Sequence, residues 1–290
     1  MSRGAQGAPL LQWAARVGRD LPWRHTRDPW AVLVSELMLQ QTQVTRVVPR
    51  YHAFLERFPA PARVAAAPVG EVVRAWAGLG YNRRAVNLHA TAVMVVDRHG
   101  GRLPDRLDQL LELPGVGPYT ARAVLAFAFE RDVGVVDTNA ARVLARVAGR
   151  GLARVEVQTR ADQAVPPGRG WAWNQALLDL GATVCTSRAP VCAGCPLAGG
   201  CAWHAAGCPE PDPARGSAGV STGQSRFEGS DRQGRGRLVD ALRGEGRLAP
   251  DALARAAGWP DDPIRTASVV ASLVRDGLAV EEASGAIRLP

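Results

Sequence analysis

The stretch Leu113–Asn139, LPGVGPYTARAVLAFAFERDVGVVDTN, constrains this chain more than any other. Pro114-Gly115 followed by Gly117 must turn sharply, and Pro118 then stands where a helix can begin. No acidic residue occurs between Leu113 and Phe129. Such a turn leaves backbone N–H groups at the helix start without partners. Together with the helix dipole they make a place for an anion, a phosphate above all. An apolar helix follows, then a short apolar run that ends on a single carboxylate, Asp137.

Around this stretch the pattern is helical almost throughout. Asp28-Pro29 signals a helix start that leads into WAVLVSELMLQQTQVTRVV, almost wholly apolar in its first half. Further helical spacing covers 5–18, 45–57, 69–77, 82–98, 105–112, 118–129, 138–148, 154–165 and 170–181, with short connections marked by Pro or Gly. Strand signals are nearly absent before residue 270, so the body is expected to be all-α. Cysteines cluster over 185–201, and the Gly-, Pro- and Ser-rich residues 207–229 predict a flexible linker. Residues 230–290 read as a separate module with helices at 231–243, 250–257 and 263–276. LAVEEASGAIRLP then fits two short strands. A winged-helix-like tail and a plain helical cap both satisfy this pattern.

All 35 basic side chains are arginine. A GC-rich coding sequence accounts for the bias, but the chemistry follows regardless: no lysine amine exists to form a Schiff base, and every cation keeps its charge and its fork for phosphates. The net charge of +8 points to a polyanionic partner. Charged residues interrupt every apolar run, and MSRGAQGAPLLQWAARVGRD has no long apolar core of a signal peptide. A cytoplasmic, nucleoid-associated protein without membrane contact is expected.

Cys185, Cys192, Cys195 and Cys201 give C-x6-C-x2-C-x5-C, with Cys208 left over as an unliganded thiol. Four thiolates so close can hold zinc or an iron–sulfur cluster; the uneven spacing leans slightly to the cluster. Glu36 lies in VLVSELML, where burial favours the protonated acid and makes it a candidate proton donor; on a polar stripe it would instead pair with Arg27 or Arg46. Asp137 precedes TNAARVL as an ordinary N-cap, a position that keeps a carboxylate ionised beside the helix dipole. One protonated and one ionised carboxyl is the division of labour that glycoside cleavage uses.

SELMLQQTQV, GLGY, NLHA, LPGVGPYTARAVLAFAF, VVDTNAARVLAR, WNQALLDLGATVC and the cysteine spacing together resemble the adenine DNA glycosylases of the MutY family, within the helix-hairpin-helix DNA glycosylase superfamily. The resemblance runs from about Leu10 to His204. It implies an all-α, two-lobed helix-hairpin-helix glycosylase fold with a four-Cys cluster loop. A six-helix barrel would span 24–130 with its hairpin at 113–129, and a cluster domain would combine 1–23 with 131–206. It implies a monomer that takes adenine opposite 8-oxoguanine or guanine from double-stranded DNA. Glu36 would protonate N7 of adenine, and Asp137 would stabilise the oxocarbenium ion. Tyr119 and Asn139 would orient the sugar and water. Trp23, Arg24, Leu39 and Gln175 match positions that line the adenine pocket. Gln41 and Tyr81 match the wedge that enters the duplex as the base is extruded. Leu113, Gly115, Val116 and Gly117 would grip a phosphate, and Cys185, Cys192, Cys195 and Cys201 would ligate a [4Fe–4S] cluster.

Bifunctional relatives resembling endonuclease III carry Lys where this chain has Tyr119, so cleavage without strand scission is expected. Asn82 stands where many members of the family have a second Tyr, Thr138 where Gly is common, and the β-rich Nudix-like domain of longer members is replaced by the short helical tail. Two other readings fit parts of the pattern: a thymine glycosylase acting on guanine:thymine mismatches, against which Glu36 argues because thymine has no N7 to protonate, and a non-catalytic iron–sulfur DNA-binding protein, against which Glu36, Tyr119, Asp137 and Asn139 together argue.

Overall fold

The computed structural model describes residues 7–220 and 226–290; the start of the first expected helix and residues 221–225 of the expected linker lie outside them. In chain order the helices are α1 (Gly7–Val17), α2 (Pro29–Leu39), α3 (Val44–Arg57), α4 (Pro61–Ala65), α5 (Val69–Ala75), α6 (Arg83–His99), α7 (Leu107–Leu111), α8 (Pro118–Phe127), α9 (Thr138–Ala148), α10 (Arg154–Ala164), α11 (Gly170–Thr183) and α12 (Ala202–Ala205). The tail adds α13 (Asp231–Glu245), β1 (Arg247–Leu248), α14 (Pro250–Ala257), α15 (Pro263–Arg275), β2 (Val280–Glu281) and β3 (Ile287–Arg288). The body is all-α, as its spacing predicts. The chain forms two compact units, one of Met1–Val32, Asp105–Leu107 and Gly117–Gly223, the other of Leu33–Pro104, Asp108–Val116 and Gln224–Pro290. Residues 24–32 and 117–130, expected in the six-helix barrel, fall in the first of these. The reason is packing: α8 buries Ala121, Val124 and Leu125 and touches α11 of the same unit.

In the first unit α11 is the spine. α1 and α9 pack on it through Leu10, Val143, Trp173, Leu177 and Leu180, all buried. Asn174 on α11 is fully buried and bonds the backbone on both sides of Gly134, accepting from Val135 N at 2.8 Å and donating to Val133 O at 2.8 Å. That pairing turns an apolar run into an extended rail that leads to Asp137. At Gly181 a Cβ would come within 2.6 Å of Asn139 Cβ, so a glycine is what lets α11 lie against the start of α9. α9 also carries two buried arginines one turn apart, Arg142 and Arg146. Arg146 pairs with Asp212 at 2.6 Å and stacks on Trp203 at 4.7 Å. Composition predicts a flexible linker over 207–229, yet Asp212, Ala214 and Ser217 are buried; the Arg146 ion pair and Ser217 Oγ, which accepts from Leu152 N at 3.0 Å, hold the segment down.

In the second unit α4 and α5 pack on α6, and Phe54 meets Trp76 edge-on at 5.9 Å. Arg84, 7% exposed at the start of α6, donates to the carbonyls of Leu37 and Met38, each at 2.8 Å, and to Gly80 O at 2.8 Å and Thr42 Oγ1 at 2.9 Å. These bonds satisfy the last carbonyls of α2 and stop the helix at Leu39, where the apolar pattern runs on into QQTQV. Burial lowers the Arg84 guanidinium to about 10. The tail has three helices and a three-stranded antiparallel sheet of order β1-β3-β2, a winged-helix-like arrangement whose first strand the sequence does not signal. It is not a free module. Arg243 donates to Val73 O at 2.9 Å and to Asn82 Oδ1 at 2.8 Å, and Pro290 O accepts from Gly70 N at 2.9 Å.

Candidate active site and nucleic-acid interface

Asp137 caps α9 as the sequence predicts, accepting from Ala140 N at 2.7 Å. Its second oxygen accepts from Asn139 Nδ2 at 2.9 Å. Asn139 is held in turn by Arg142, which donates to Asn139 Oδ1 at 2.8 Å, to Gly181 O at 2.5 Å and to Cys185 O at 2.7 Å. One chain of contacts thus runs from the cysteine loop through Arg142 and Asn139 to the Asp137 carboxyl. The direction of its pKa shift differs from expectation. Burial pushes the Asp137 carboxyl above the ordinary carboxylate range and outweighs the lowering by Ala140, Asn139 and Arg142. A cap bond does not compensate a carboxylate for lost hydration on its remaining side. Tyr119 stands in the first turn of α8 in the same unit, half-buried.

Arg24 and Gln175 line a cavity of about 400 Å³ with Trp171 and Asp179. Asp179, 1% exposed, accepts from Arg24 at 2.7 and 2.8 Å and from Arg19 Nε at 2.5 Å. Burial raises its carboxyl, but the two arginines outweigh that and hold it below the ordinary range. Arg24 Nε and Trp171 Nε1 are buried at this cavity without a hydrogen-bond partner, donors that suit a ligand rich in acceptors. Trp23 is buried beside Arg24 in a short 3-10 turn. Reading the sequence missed Asp179 and Arg142; DLGATVC and ARVLARVA give no local sign that either residue turns inward.

In the second unit Glu36 is 4% exposed among Leu33, Leu37 and other apolar residues of α2. Arg27 pairs with Glu130, and Arg46 donates to Gly78 O. Leu39 ends α2, half-buried. Gln41 and Tyr81 both adopt left-handed backbone, φ 59° and 45°, and line one cavity. For residues of this size that conformation is strained and marks a built feature. In the hairpin Leu113 and Val116 bury their side chains, while Gly115 has φ +77° and a Cβ there would lie 2.8 Å from Asn87. Gly117 caps α8 with open space around it, and the first turn of α8 has no acid.

Cys185, Cys192, Cys195 and Cys201 line one pocket with Arg146, which donates to Cys185 Sγ at 3.2 Å. Burial raises the thiols of Cys192, Cys195 and Cys201, Cys192 to about 11, and neighbouring thiols add to it. Cys208, expected to be an unliganded thiol, lies near enough to Cys192 to contribute to that rise. Among the described residues no three His, Cys, Asp or Glu side chains converge on a point that would hold a single ion. Nor is any described helix long and apolar enough to cross a membrane.

Residues 34–167 match the family model described as HhH-GPD superfamily base excision DNA repair protein. The match and the helical fold place residues 34–167 among the base excision DNA repair proteins of that superfamily. The chain is 43% identical over 286 residues to an adenine DNA glycosylase of Mycolicibacterium smegmatis, covering 97% of this chain and 94% of that one. An adenine DNA glycosylase of Mycobacterium tuberculosis is 44% identical over 293 residues, covering 97% and 92%. At this identity over nearly the whole length, tail included, the chain belongs to the adenine DNA glycosylase family. It is also similar in fold to a solved thermostable thymine-DNA glycosylase, with a TM-score of 0.65 and 30% identity over 70% of this chain and 97% of that one.

Proposed function

We propose that the protein hydrolyses the N-glycosidic bond of adenine mispaired with 8-oxoguanine or guanine in double-stranded DNA and leaves the strand intact. The observation that carries this reading is the pair of differently placed carboxyls. Glu36, buried among aliphatic side chains on α2, is the proton donor to the departing base. Asp137, held by Ala140 N and Asn139 Nδ2, is the anion that faces the oxocarbenium ion of the sugar. Asn139 and Tyr119 orient the sugar and water. The cavity of Arg24 and Gln175 receives the extruded base, whose ring nitrogens are acceptors for the buried donors there, and Trp23 and Leu39 are the further side chains proposed to contact that base. Gln41 and Tyr81 fill the gap in the duplex, and the Leu113–Gly117 turn grips a phosphate. No lysine is present, so no side-chain amine can carry out β-elimination.

Cys185, Cys192, Cys195 and Cys201 share one pocket, and their uneven C-x6-C-x2-C-x5-C spacing supports a [4Fe–4S] cluster over a zinc site. Bound there, the cluster would supply four covalent ties across the loop 185–201. Arg146 offsets its thiolate charge at Cys185. The experiment is Asp137→Asn: base release is expected to vanish while duplex binding persists, and wild-type turnover would refute the assignment. Stoichiometric zinc without iron in the purified protein would refute the cluster.

A further inference from the structure

A cavity of about 770 Å³ in the second unit is walled on one side by the tail and on the other by the loops that carry Gln41 and Tyr81. Its charged lining is six arginines against two aspartates. Three of the arginines sit in the first turn of a helix: Arg46 in α3, Arg83 in α6 and Arg232 in α13. A cation at that end opposes the helix dipole; Asp231 relieves this in α13 and Arg83 pairs with Asp276 at 3.1 Å, yet the lining keeps its excess of positive charge. α3 and α6 have no acid in their first turns to relieve it. An anion in the cavity would meet the arginines and the dipoles together.

The aromatic side chains point the same way. Tyr81 and Phe227 are 41% and 52% exposed, large rings left open at one place. The Arg232 guanidinium lies 6.0 Å from the Tyr81 ring centre and 5.3 Å from that of Phe227, and it donates to the Tyr81 hydroxyl at 3.2 Å. Cations interleaved with rings suit phosphates beside unstacked bases. The tail is fixed in this position by Arg243, whose partner is Asn82 at 2.8 Å, the residue that departs from the family's usual Tyr.

We propose that this cleft is a duplex-DNA contact surface in which Arg46, Arg83 and Arg232 meet backbone phosphates, and that Phe227 and Arg232 make the tail part of the wedge around Tyr81. The phosphate contacts follow from charge and helix geometry; their position beside an extruded base rests on the proposed function. The tail then lies where it can touch the duplex next to the mispair.

The test is equilibrium binding of the full chain to a short mismatch-free duplex over a series of salt concentrations. Arg83→Gln and Arg232→Gln are each expected to lower the slope of log K against log salt by about one, and the double variant by about two. Arg255→Gln, exposed on α14 outside the cavity, is expected to keep the wild-type slope. Thermal midpoints equal to wild type would certify the fold, and Arg46→Gln provides an independent third variant. A wild-type slope in the folded double variant, or tighter binding of single-stranded RNA than of duplex, would overturn the proposal. Adenine release from mispaired duplex by the wild-type chain is measured in parallel. Release with unchanged slopes sinks the surface and leaves the glycosylase reading standing; lowered slopes without release sustain the surface and sink that reading.

Discussion

Replacing Arg142 by Met removes the guanidinium and keeps most of the stem volume. In the structure this group makes three short bonds, to Gly181 O at 2.5 Å, Cys185 O at 2.7 Å and Asn139 Oδ1 at 2.8 Å, beside a long one to Thr138 O at 3.4 Å, with the side chain buried. A buried acceptor left without its donor costs about 1–3 kcal/mol. Gly181 and Cys185 lie at the C-terminal end of α11, where Arg142 also offsets the dipole. Three acceptors set a range of about 3–9 kcal/mol, and local relaxation with entry of water brings the expected loss to its lower end, about 3–4 kcal/mol. Urea denaturation with linear extrapolation measures it. The same variant frees Asn139 to rotate away from Asp137, so single-turnover base release should fall about 10-fold or more while duplex affinity holds. A stability loss below about 1 kcal/mol would refute the assignment of three buried bonds to one side chain.

Asp137→Asn keeps an N-cap acceptor but removes a carboxylate whose folded pKa is raised, so the variant should melt above wild type at neutral pH. Because a raised carboxyl pKa costs stability as pH climbs through it, that advantage should disappear in acid, below the pKa of the unfolded chain; an equal difference at all pH values would contradict it. Asp179→Asn should act the other way: its carboxyl is held low by Arg24 and Arg19, so the variant loses about 3–5 kcal/mol at neutral pH, and the loss shrinks as pH falls through the native pKa. Chemical denaturation at two pH values distinguishes the two signs. Gly115→Ala must adopt φ +77° and push its Cβ against Asn87, so it should cost about 1–3 kcal/mol and weaken duplex binding; a neutral result would refute the tight hairpin.

What local chemistry governs was legible in the sequence. The Asp137 cap, Pro118 at its helix start and the bounds of α9 and α14 follow from signals within a few residues. What distant groups decide was not. α2 ends at Leu39 because Arg84, far along the chain, takes up its carbonyls, and nothing in QQTQV announces that. The segment around Asp212 has the composition of a linker, yet Arg146 pins it. Arg142 and Arg146 are buried beside the cysteine loop, and nothing in ARVLARVA signals that. Asp137 was expected to stay ionised because its cap is local, whereas its shift comes from tertiary burial.

On the proposed function this chain removes adenine from a mispair and leaves the backbone whole. The direct measurement is the base released, by chromatography, from duplexes that pair adenine with 8-oxoguanine, adenine with guanine, and thymine with guanine, alongside strand integrity before and after alkali. Free adenine from the first two, with strands cut only after alkali, is the predicted result. Free thymine without adenine, or strands cut without alkali, would contradict it.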